Sequence, residues 1–338
     1  MNLITGATGL LGSYLAKLLI SKGEKVRATK RKTSDLSLLG KFAEQIEWIE
    51  GDVLDIPSLE EAMAGVTHVY HCAASISFIP AEVDHMMKVN IEGTANVMNC
   101  ALVSGVKKLV HVSSVAAFGM SVKGKLIDEK YADPNINKAF WYYRSKQYSE
   151  REAWRASEEG LNLVVVCPST ILGASWWDAE PNSLFREIYN GLKFYTSGVN
   201  GFVDVRDVAE CMHRLMLSDI SAEKFILSSE NISFQEVIWQ MADELKVKRP
   251  SLEAGKMLRS IAWRTEAIKS FFTKQRPLIT KESADLAAIN FTYSNEKIKQ
   301  ALKYNFRPVK ETIAETAKVF LESEEEGKEF GVFETKKL

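Results

Sequence analysis

The chain has 338 residues, of which 46% are hydrophobic and 26% charged, and its formal net charge is −1. This composition is ordinary for a globular protein of one large domain, or of one domain with a smaller lobe, and nothing in it points to a nucleic acid or a membrane surface. No apolar run approaches the roughly 20 residues that span a bilayer, and no leader is evident at the N-terminus, so we expect a cytoplasmic protein. The four cysteines lack any CxxC spacing, and we expect neither disulfides nor a metal site.

Short apolar runs alternate with amphipathic stretches over the first half of the chain, which predicts strands separated by helices. The predicted strands are Leu3–Thr5, Lys25–Thr29, Ile46–Glu50, His68–His71, Lys108–Val112 and Leu163–Val166. The amphipathic stretches include Leu11–Ser21 and Val83–Val103. This β-α-β-α order predicts an α/β fold of the Rossmann type, a doubly wound parallel sheet with helices on both faces.

The pattern changes after Pro168. A strand-like segment, Lys224–Leu227, follows residues 205–217, and the chain beyond Ser251 is mainly helical in pattern. We therefore expect the Rossmann domain to comprise residues 1–173, with 203–230 returning to it. Residues 174–202 and 231–338 would form a smaller, mainly helical lobe over the carboxyl ends of the strands.

A glycine-rich segment opens the first helix. Gly6, Gly9 and Gly12 follow the first predicted strand at three-residue spacing. Glycines let the backbone approach a ligand closely, and the amides at a helix N-terminus attract a pyrophosphate. A tight turn would also account for the spacing, but its place at the first βα junction favours dinucleotide binding.

Three consecutive cations, Lys30, Arg31 and Lys32, follow the second strand. NAD-dependent proteins usually carry Asp or Glu there to bind the ribose 2′-hydroxyl, whereas cations suit a 2′-phosphate. We therefore expect NADP, as NADPH, rather than NAD. A solvated basic turn is the alternative interpretation.

Tyr142 and Lys146 begin a later helical stretch, one turn apart and on one face. A phenol with its ordinary pKa of about 10 is a poor base at neutral pH, but a neighbouring ammonium and an oxidised nicotinamide favour the phenolate. Such a pair suits proton transfer. Ser113 and Ser114 end the fifth strand, where a hydroxyl can hydrogen-bond a substrate carbonyl, although serines are also routine in turns.

These features together resemble the extended short-chain dehydrogenase/reductases of the NAD-dependent epimerase/dehydratase superfamily, and within them the bacterial members similar to dihydroflavonol 4-reductase. The segments that carry the resemblance are Thr5–Gly12, Gly51–Val53, His71–Ala74, Val89–Thr94, Val112–Gly119, Tyr142–Lys146 and Pro168–Gly173. The resemblance implies that Ser114, Tyr142 and Lys146 are catalytic, and that Asn90 holds a water linking Lys146 to solvent. Besides the three cations, we expect cofactor contacts from Gly6, Thr8, Gly9, Leu10, Leu11, Gly12, Asp52, Val53, Ala73, Ala74, Ser75, Val112, Tyr142, Lys146, Pro168, Ser169 and Thr170.

The stretch from Gly173 to Asp204 bears on the substrate. It is short for an enzyme that encloses a nucleotide-sugar diphosphate, and a diphosphate usually calls for more cationic or helix-terminal donors than Arg186 alone would supply. Trp176 and Trp177, with Trp141, would either line an apolar cleft or pack the lobe.

We therefore expect an NADPH-dependent reductase that acts on the carbonyl of a small or medium apolar aldehyde or ketone. The alternatives are a nucleotide-sugar epimerase or dehydratase with retained cofactor, and a non-catalytic NADP-binding sensor.

A basic region lies near the C-terminus. Residues 246–281 hold ten Lys or Arg against two Glu, and 256–272 show an apolar stripe at helical spacing. A basic amphipathic helix can lie on a membrane, but packing within the lobe accounts for the stripe equally well. We expect neither a membrane nor a nucleic-acid partner; the region could instead contact an anionic ligand. The subunit count stays open, with a homodimer as one possibility.

Overall fold

Helices cover both faces of a parallel sheet in the computed structural model. The structure describes residues 1–120, 124–131, 133, 140–179, 181–273 and 280–333, without the side chains of residues 262 and 266–273. The described strands are β1 (Asn2–Thr5), β2 (Val26–Lys30), β3 (Ile46–Glu50), β4 (His68–His71), β5 (Lys108–Val112), β6 (Leu126–Ile127), β7 (Leu163–Pro168), β8 (Thr170–Leu172), β9 (Phe194–Tyr195), β10 (Val199–Asp204), β11 (Glu223–Leu227), β12 (Glu230–Ser233), β13 (Leu252–Glu253) and β14 (Thr292–Tyr293). The described helices are α1 (Leu10–Ser21), α2 (Ile56–Met63), α3 (Val83–Val103), α4 (Trp141–Glu158), α5 (Ser183–Tyr189), α6 (Val205–Leu217), α7 (Phe234–Glu244), α8 (Lys256–Thr273), α9 (Lys281–Leu286), α10 (Glu296–Leu302) and α11 (Val309–Glu325).

The central sheet has seven strands in the order β11-β7-β5-β4-β1-β2-β3, and every neighbouring pair is parallel. The Rossmann prediction is confirmed. The bounds of β3, β4 and β5 agree with the predicted ones to the residue, and those of the other predicted strands differ by one or two residues. The strand order reverses between β1 and β4, and ligands of such sheets bind at the carboxyl ends of the strands beside this point.

Two hydrophobic cores lie on opposite faces of the sheet because successive side chains of a strand point to opposite sides. On β7, Val164 and Val166 belong to the core shared with α1 and α6, whereas Leu163 and Val165 belong to the core shared with α3 and α4. All four are fully buried. Burial on both faces explains why this strand reads as a continuous apolar run.

Short strands that the sequence did not predict accompany the helices of the second part of the chain. β10 pairs parallel with β8 and antiparallel with β12, and two further two-stranded pairings join β13 to β9 and β14 to β6. Residues 203–230 were predicted to return to the Rossmann domain, and within them β11 joins the central sheet beside β7. The domain division at residue 173 stays a prediction.

The apolar stripe of the basic region lies on α8. Met257 is 79% exposed and Ile261 48% exposed, so neighbouring elements leave these two apolar side chains largely uncovered. None of the helices described is long and apolar enough to cross a bilayer.

Candidate active site

The glycine-rich segment forms a close turn between β1 and α1. Gly6 has a φ of +76°, and a Cβ there would lie 2.7 Å from the backbone nitrogen of Ala73. A Cβ on Gly12 would lie 2.1 Å from the Gly6 carbonyl oxygen. Gly9 precedes α1, and no side chain caps this helix end. The first-turn amides therefore have no side-chain partner, and the cradle fits the phosphates of a dinucleotide.

Apart from Tyr142 and Lys146, which lie on α4, the predicted cofactor residues follow the carboxyl ends of strands of the central sheet. Thr8, Leu10 and Leu11 belong to the turn and first helical residues after β1. The others follow β2 to β5 and β7 or form their last residues: Lys30, Arg31, Lys32, Asp52, Val53, Ala73, Ala74, Ser75, Val112, Pro168, Ser169 and Thr170. Since the strands are parallel, these residues share one edge of the sheet. Their contacts with a cofactor stay a prediction.

The three cations after β2 are not equivalent. The Lys30 ammonium lies 5.7 Å from the centre of the Trp48 ring, and the Lys32 ammonium lies 3.4 Å from Glu50 Oε1. The Arg31 side chain is exposed, and the part of the chain that the structure describes offers its guanidinium no hydrogen bond or ion pair. Arg31 is therefore the cation best able to take a new anionic partner.

Tyr142 lies on the first turn of α4 with its ring half-buried. Burial raises the pKa of its phenol, and the nearby Ser114 side chain opposes this rise. The Ser114 Oγ accepts the backbone N–H of Ala116 at 3.1 Å, which fixes its position. The predicted catalytic serine and tyrosine thus lie near each other.

Lys146 is buried one turn further along α4, and its Nζ donates to the carbonyl oxygen of Val112 at 3.3 Å. Burial lowers the pKa of this ammonium from 10.5 to about 8, against the opposing effect of Cys167, Cys72 and Glu150. The amine can therefore exchange a proton close to neutral pH.

Asn90 is buried on α3, and its side-chain amide makes three hydrogen bonds. These go to the backbone N–H and carbonyl of Ser75 and to the hydroxyl of Ser145. The side chain therefore joins the loop after β4 to α4. The bound water that the resemblance implies for Asn90 stays a prediction.

A buried polar layer lies beneath these residues. The two ring nitrogens of His71 share hydrogen bonds with the Thr5 hydroxyl at 2.7 Å and the Thr94 hydroxyl at 3.1 Å, and the ring stacks on that of His111 with centroids 5.1 Å apart. Burial lowers the pKa of His71 to about 3, so it is neutral at physiological pH. Sequence reasoning gave these histidines no role. The strand alternation that places both on one sheet face was the available signal.

Phe78 lies beside Tyr142, and we call it the apolar rim together with Ile76, two residues earlier on the same loop, and Trp141, the residue before Tyr142 in the chain. The Phe78 ring meets the Tyr142 ring edge to face, with centroids 5.7 Å apart. Ile76 is 62% exposed and Trp141 43% exposed. The Ser77 hydroxyl, which donates to Glu82 at 2.8 Å, braces the loop that carries two of the three rim residues.

The tryptophan pair after Gly173 packs the lobe. Trp177 is fully buried and contacts Phe320 with ring centroids 5.0 Å apart, and Trp176 lies against Phe330 at the same distance. Of the two interpretations of these residues, packing of the lobe is the one that the structure supports, because tail residues far along the chain cover them.

Arg186 also serves the lobe. Its guanidinium pairs with Asp178 and lies 3.5 Å from Glu324. These two carboxylates neutralise it, so it is poorly placed to be the phosphate ligand that we considered.

Residues 2–226 match the NAD dependent epimerase/dehydratase family, and the chain belongs to this family. It is an NAD(P)-dependent oxidoreductase of the extended short-chain dehydrogenase/reductase type.

The chain is 29% identical to a protein of Synechocystis sp. named "Putative dihydroflavonol 4-reductase", over 94% of this chain and 93% of that one. It is 30% identical to cinnamoyl-CoA reductase 1 of Petunia hybrida, over 93% and 90% of the two chains. Among solved structures, gox2253 is 29% identical, with a TM-score of 0.81 and coverage of 95% of this chain and 98% of that one.

Proposed function

We propose that this chain uses NADPH to reduce the carbonyl group of a small or medium apolar aldehyde or ketone. The observation that carries the proposal is the Tyr142 phenol, which lies near Ser114, one turn from Lys146, and against the Phe78 ring.

The roles of the residues follow from their contacts. When bound, the cofactor supplies hydride to the carbonyl carbon. The Tyr142 phenol donates its proton to the carbonyl oxygen, which becomes the hydroxyl of the product. The Ser114 hydroxyl orients that oxygen by a hydrogen bond. The Lys146 ammonium stabilises the phenolate left on Tyr142 and would contact the ribose.

The preference for NADPH rests on Arg31. Its exposed guanidinium is free to bind a 2′-phosphate, whereas Lys30 and Lys32 already have partners among the described residues. No acidic residue occupies positions 30–32, where the ribose 2′-hydroxyl of NAD would find its acceptor.

The apolar rim supports the substrate class. Phe78 offers apolar area against Tyr142, Ile76 and Trp141 are exposed close to this pair in the chain, and burying such area is worth roughly 25 cal/mol per Å². The diphosphate of a sugar nucleotide would instead need cationic or helix-terminal partners. Both named relatives are called reductases, which agrees with this direction of reaction.

A nucleotide-sugar epimerase or dehydratase is the second candidate, and the basic region 246–281 is the observation in its favour. Several of its cations are engaged elsewhere, however. Arg249 pairs with Asp243, Arg259 donates to the Ala254 carbonyl at 2.8 Å, and Arg264 donates within its own helix.

A screen that follows NADPH absorbance tests the proposal. Benzaldehyde, hexanal and acetaldehyde would be compared with UDP-glucose, and we expect a higher kcat/KM for the two larger aldehydes than for acetaldehyde and no turnover of UDP-glucose. Phe78→Ala should lower kcat/KM for benzaldehyde more than for acetaldehyde, with Phe78→Leu in between. Thermal stabilisation by UDP-glucose that Arg186→Gln abolishes would overturn the apolar-carbonyl assignment. NADPH binding without turnover of any carbonyl would favour a sensor.

A further inference from the structure

The last residue of β5 and the two residues after it each lie close to a different turn of α4. Within the segment Val112–Ser114, the first residue accepts a hydrogen bond from Lys146, and the third lies near enough to Tyr142 to oppose the rise in the pKa of its phenol. The hydroxyl of the middle residue donates to Oε2 of Glu150 at 2.9 Å. The three α4 residues lie four positions apart, on one face of the helix. The contact of Glu150 with Ser113 therefore lies one helical turn beyond Lys146 and two turns beyond Tyr142, on the same face of α4.

Glu150 is only 6% exposed, yet its carboxylate has a full set of partners. Oε1 accepts the indole N–H of Trp154 at 3.0 Å and lies 3.2 Å from the Lys224 ammonium. Oε2 accepts the Ser113 hydroxyl, and the Cys167 thiol lies 3.9 Å from it. A buried carboxylate is costly unless it is paired and hydrogen-bonded, and Lys224, on β11, supplies the opposite charge.

We propose that Glu150, with Lys224 as its counter-ion, is a positioning residue for the reaction. It holds Ser113, and through Ser113 it holds the neighbouring Ser114 and the Val112 carbonyl at the distances that Tyr142 and Lys146 require. The inference rests on the proposed function only in so far as Tyr142 and Lys146 carry that reaction.

The pair also affects the charge balance around Lys146. Glu150 raises the pKa of the Lys146 ammonium, whereas burial lowers it. The titratable groups that interact with Lys146 are Cys72 and His71 at the end of β4, His111 on β5, Cys167 on β7, and Glu150 on its own helix. Glu150 is the carboxylate in this set, and its charge is balanced by Lys224.

Two variants with opposite expected effects test this role. Glu150→Gln removes the negative charge and should move the alkaline decline of activity to lower pH, with kcat reduced about tenfold. Lys224→Met leaves the Glu150 charge unbalanced and should move that decline to higher pH. The double variant should return towards the wild-type profile. A matched control is Glu158→Gln, an exposed position two turns further along α4, which should behave as wild type.

A purely structural role would shift both single variants in the same direction or leave both profiles unchanged, and either result would overturn the proposal. If Glu150→Gln fails to fold, Ser113→Ala breaks the same link while keeping the buried charge. It should then lower kcat and leave the pH profile unmoved, and a wild-type kcat would overturn the proposal.

The affinity for NADPH across the same pH range is the readout that does not depend on turnover. The pH above which this affinity falls should be lower in Glu150→Gln than in wild type. If no carbonyl is reduced, the proposed function fails while this measurement still tests Glu150.

Discussion

Asn90 holds Ser75 by both of its backbone groups. The Ser75 N–H donates to Asn90 Oδ1 at 2.7 Å, and Asn90 Nδ2 donates to the Ser75 carbonyl oxygen at 2.9 Å. The same Nδ2 donates to the Ser145 hydroxyl at 3.0 Å, which in turn donates to the Tyr142 carbonyl oxygen at 2.8 Å. One buried amide thus joins the loop after β4 to the turn that carries Tyr142.

Asn90→Ala should therefore weaken both the fold and the site. Leaving the Ser75 backbone groups without partners should lower the free energy of unfolding by about 1–3 kcal/mol, and kcat should fall because the α4 turn loses its brace. Urea unfolding and steady-state kinetics would measure the two effects. Asn99→Ala, at an exposed position on the same helix, is the control. Equal stability of the two variants would contradict the role of Asn90 in holding the loop after β4 against α4.

Tyr142→Phe should abolish most turnover while NADPH still binds. The ring keeps its contact with Phe78, and only the proton donor is lost. Such groups contribute about 10²–10⁴-fold. Tyr143→Phe is the matched control, since Tyr143 is buried against Phe291 and holds no assigned proton. A loss in kcat below tenfold for Tyr142→Phe, with chemistry rate-limiting, would rule out Tyr142 as the donor.

Arg31→Glu should reverse the cofactor preference. Removal of a charge-assisted hydrogen bond costs about 1.5–3 kcal/mol, so the affinity for NADPH should fall at least tenfold, whereas that for NADH should be kept or improved. Fluorescence titration with both cofactors measures the ratio. Lys41→Glu makes the same charge change at another exposed position. A wild-type enzyme that binds NADH as tightly as NADPH would refute the preference.

The pH dependence of NADPH binding should report Lys146. Burial lowers the pKa of its ammonium from 10.5 to about 8, so the charge is present below that pH and is lost above it. Affinity for NADPH should therefore decline as the pH rises through about 8. Lys146→Arg keeps its charge and should lose this step, and Lys146→Met should bind weakly at every pH. His71, with its pKa lowered to about 3, does not titrate in this window. A step that persists in Lys146→Met would assign it to another group.

Local patterns in the sequence were enough to predict the sheet and the outline of the site. The apolar runs of β3, β4 and β5 and the glycines at positions 6, 9 and 12 depend on backbone conformation over a few residues. The Tyr142–Lys146 spacing likewise follows from helical periodicity. Because the strands are parallel, the predicted order alone also required the residues after each strand to share one edge.

Only the tertiary structure decided which distant side chains meet. Trp177 is buried by Phe320, Arg186 is neutralised by Glu324, and Glu150 is paired with Lys224. No local period encodes such contacts, since they depend on how whole elements pack against each other. For that reason the sequence determined the class of enzyme and predicted its reactive pair, whereas packing decided that Trp177 fills the lobe and that Phe78 lies against Tyr142.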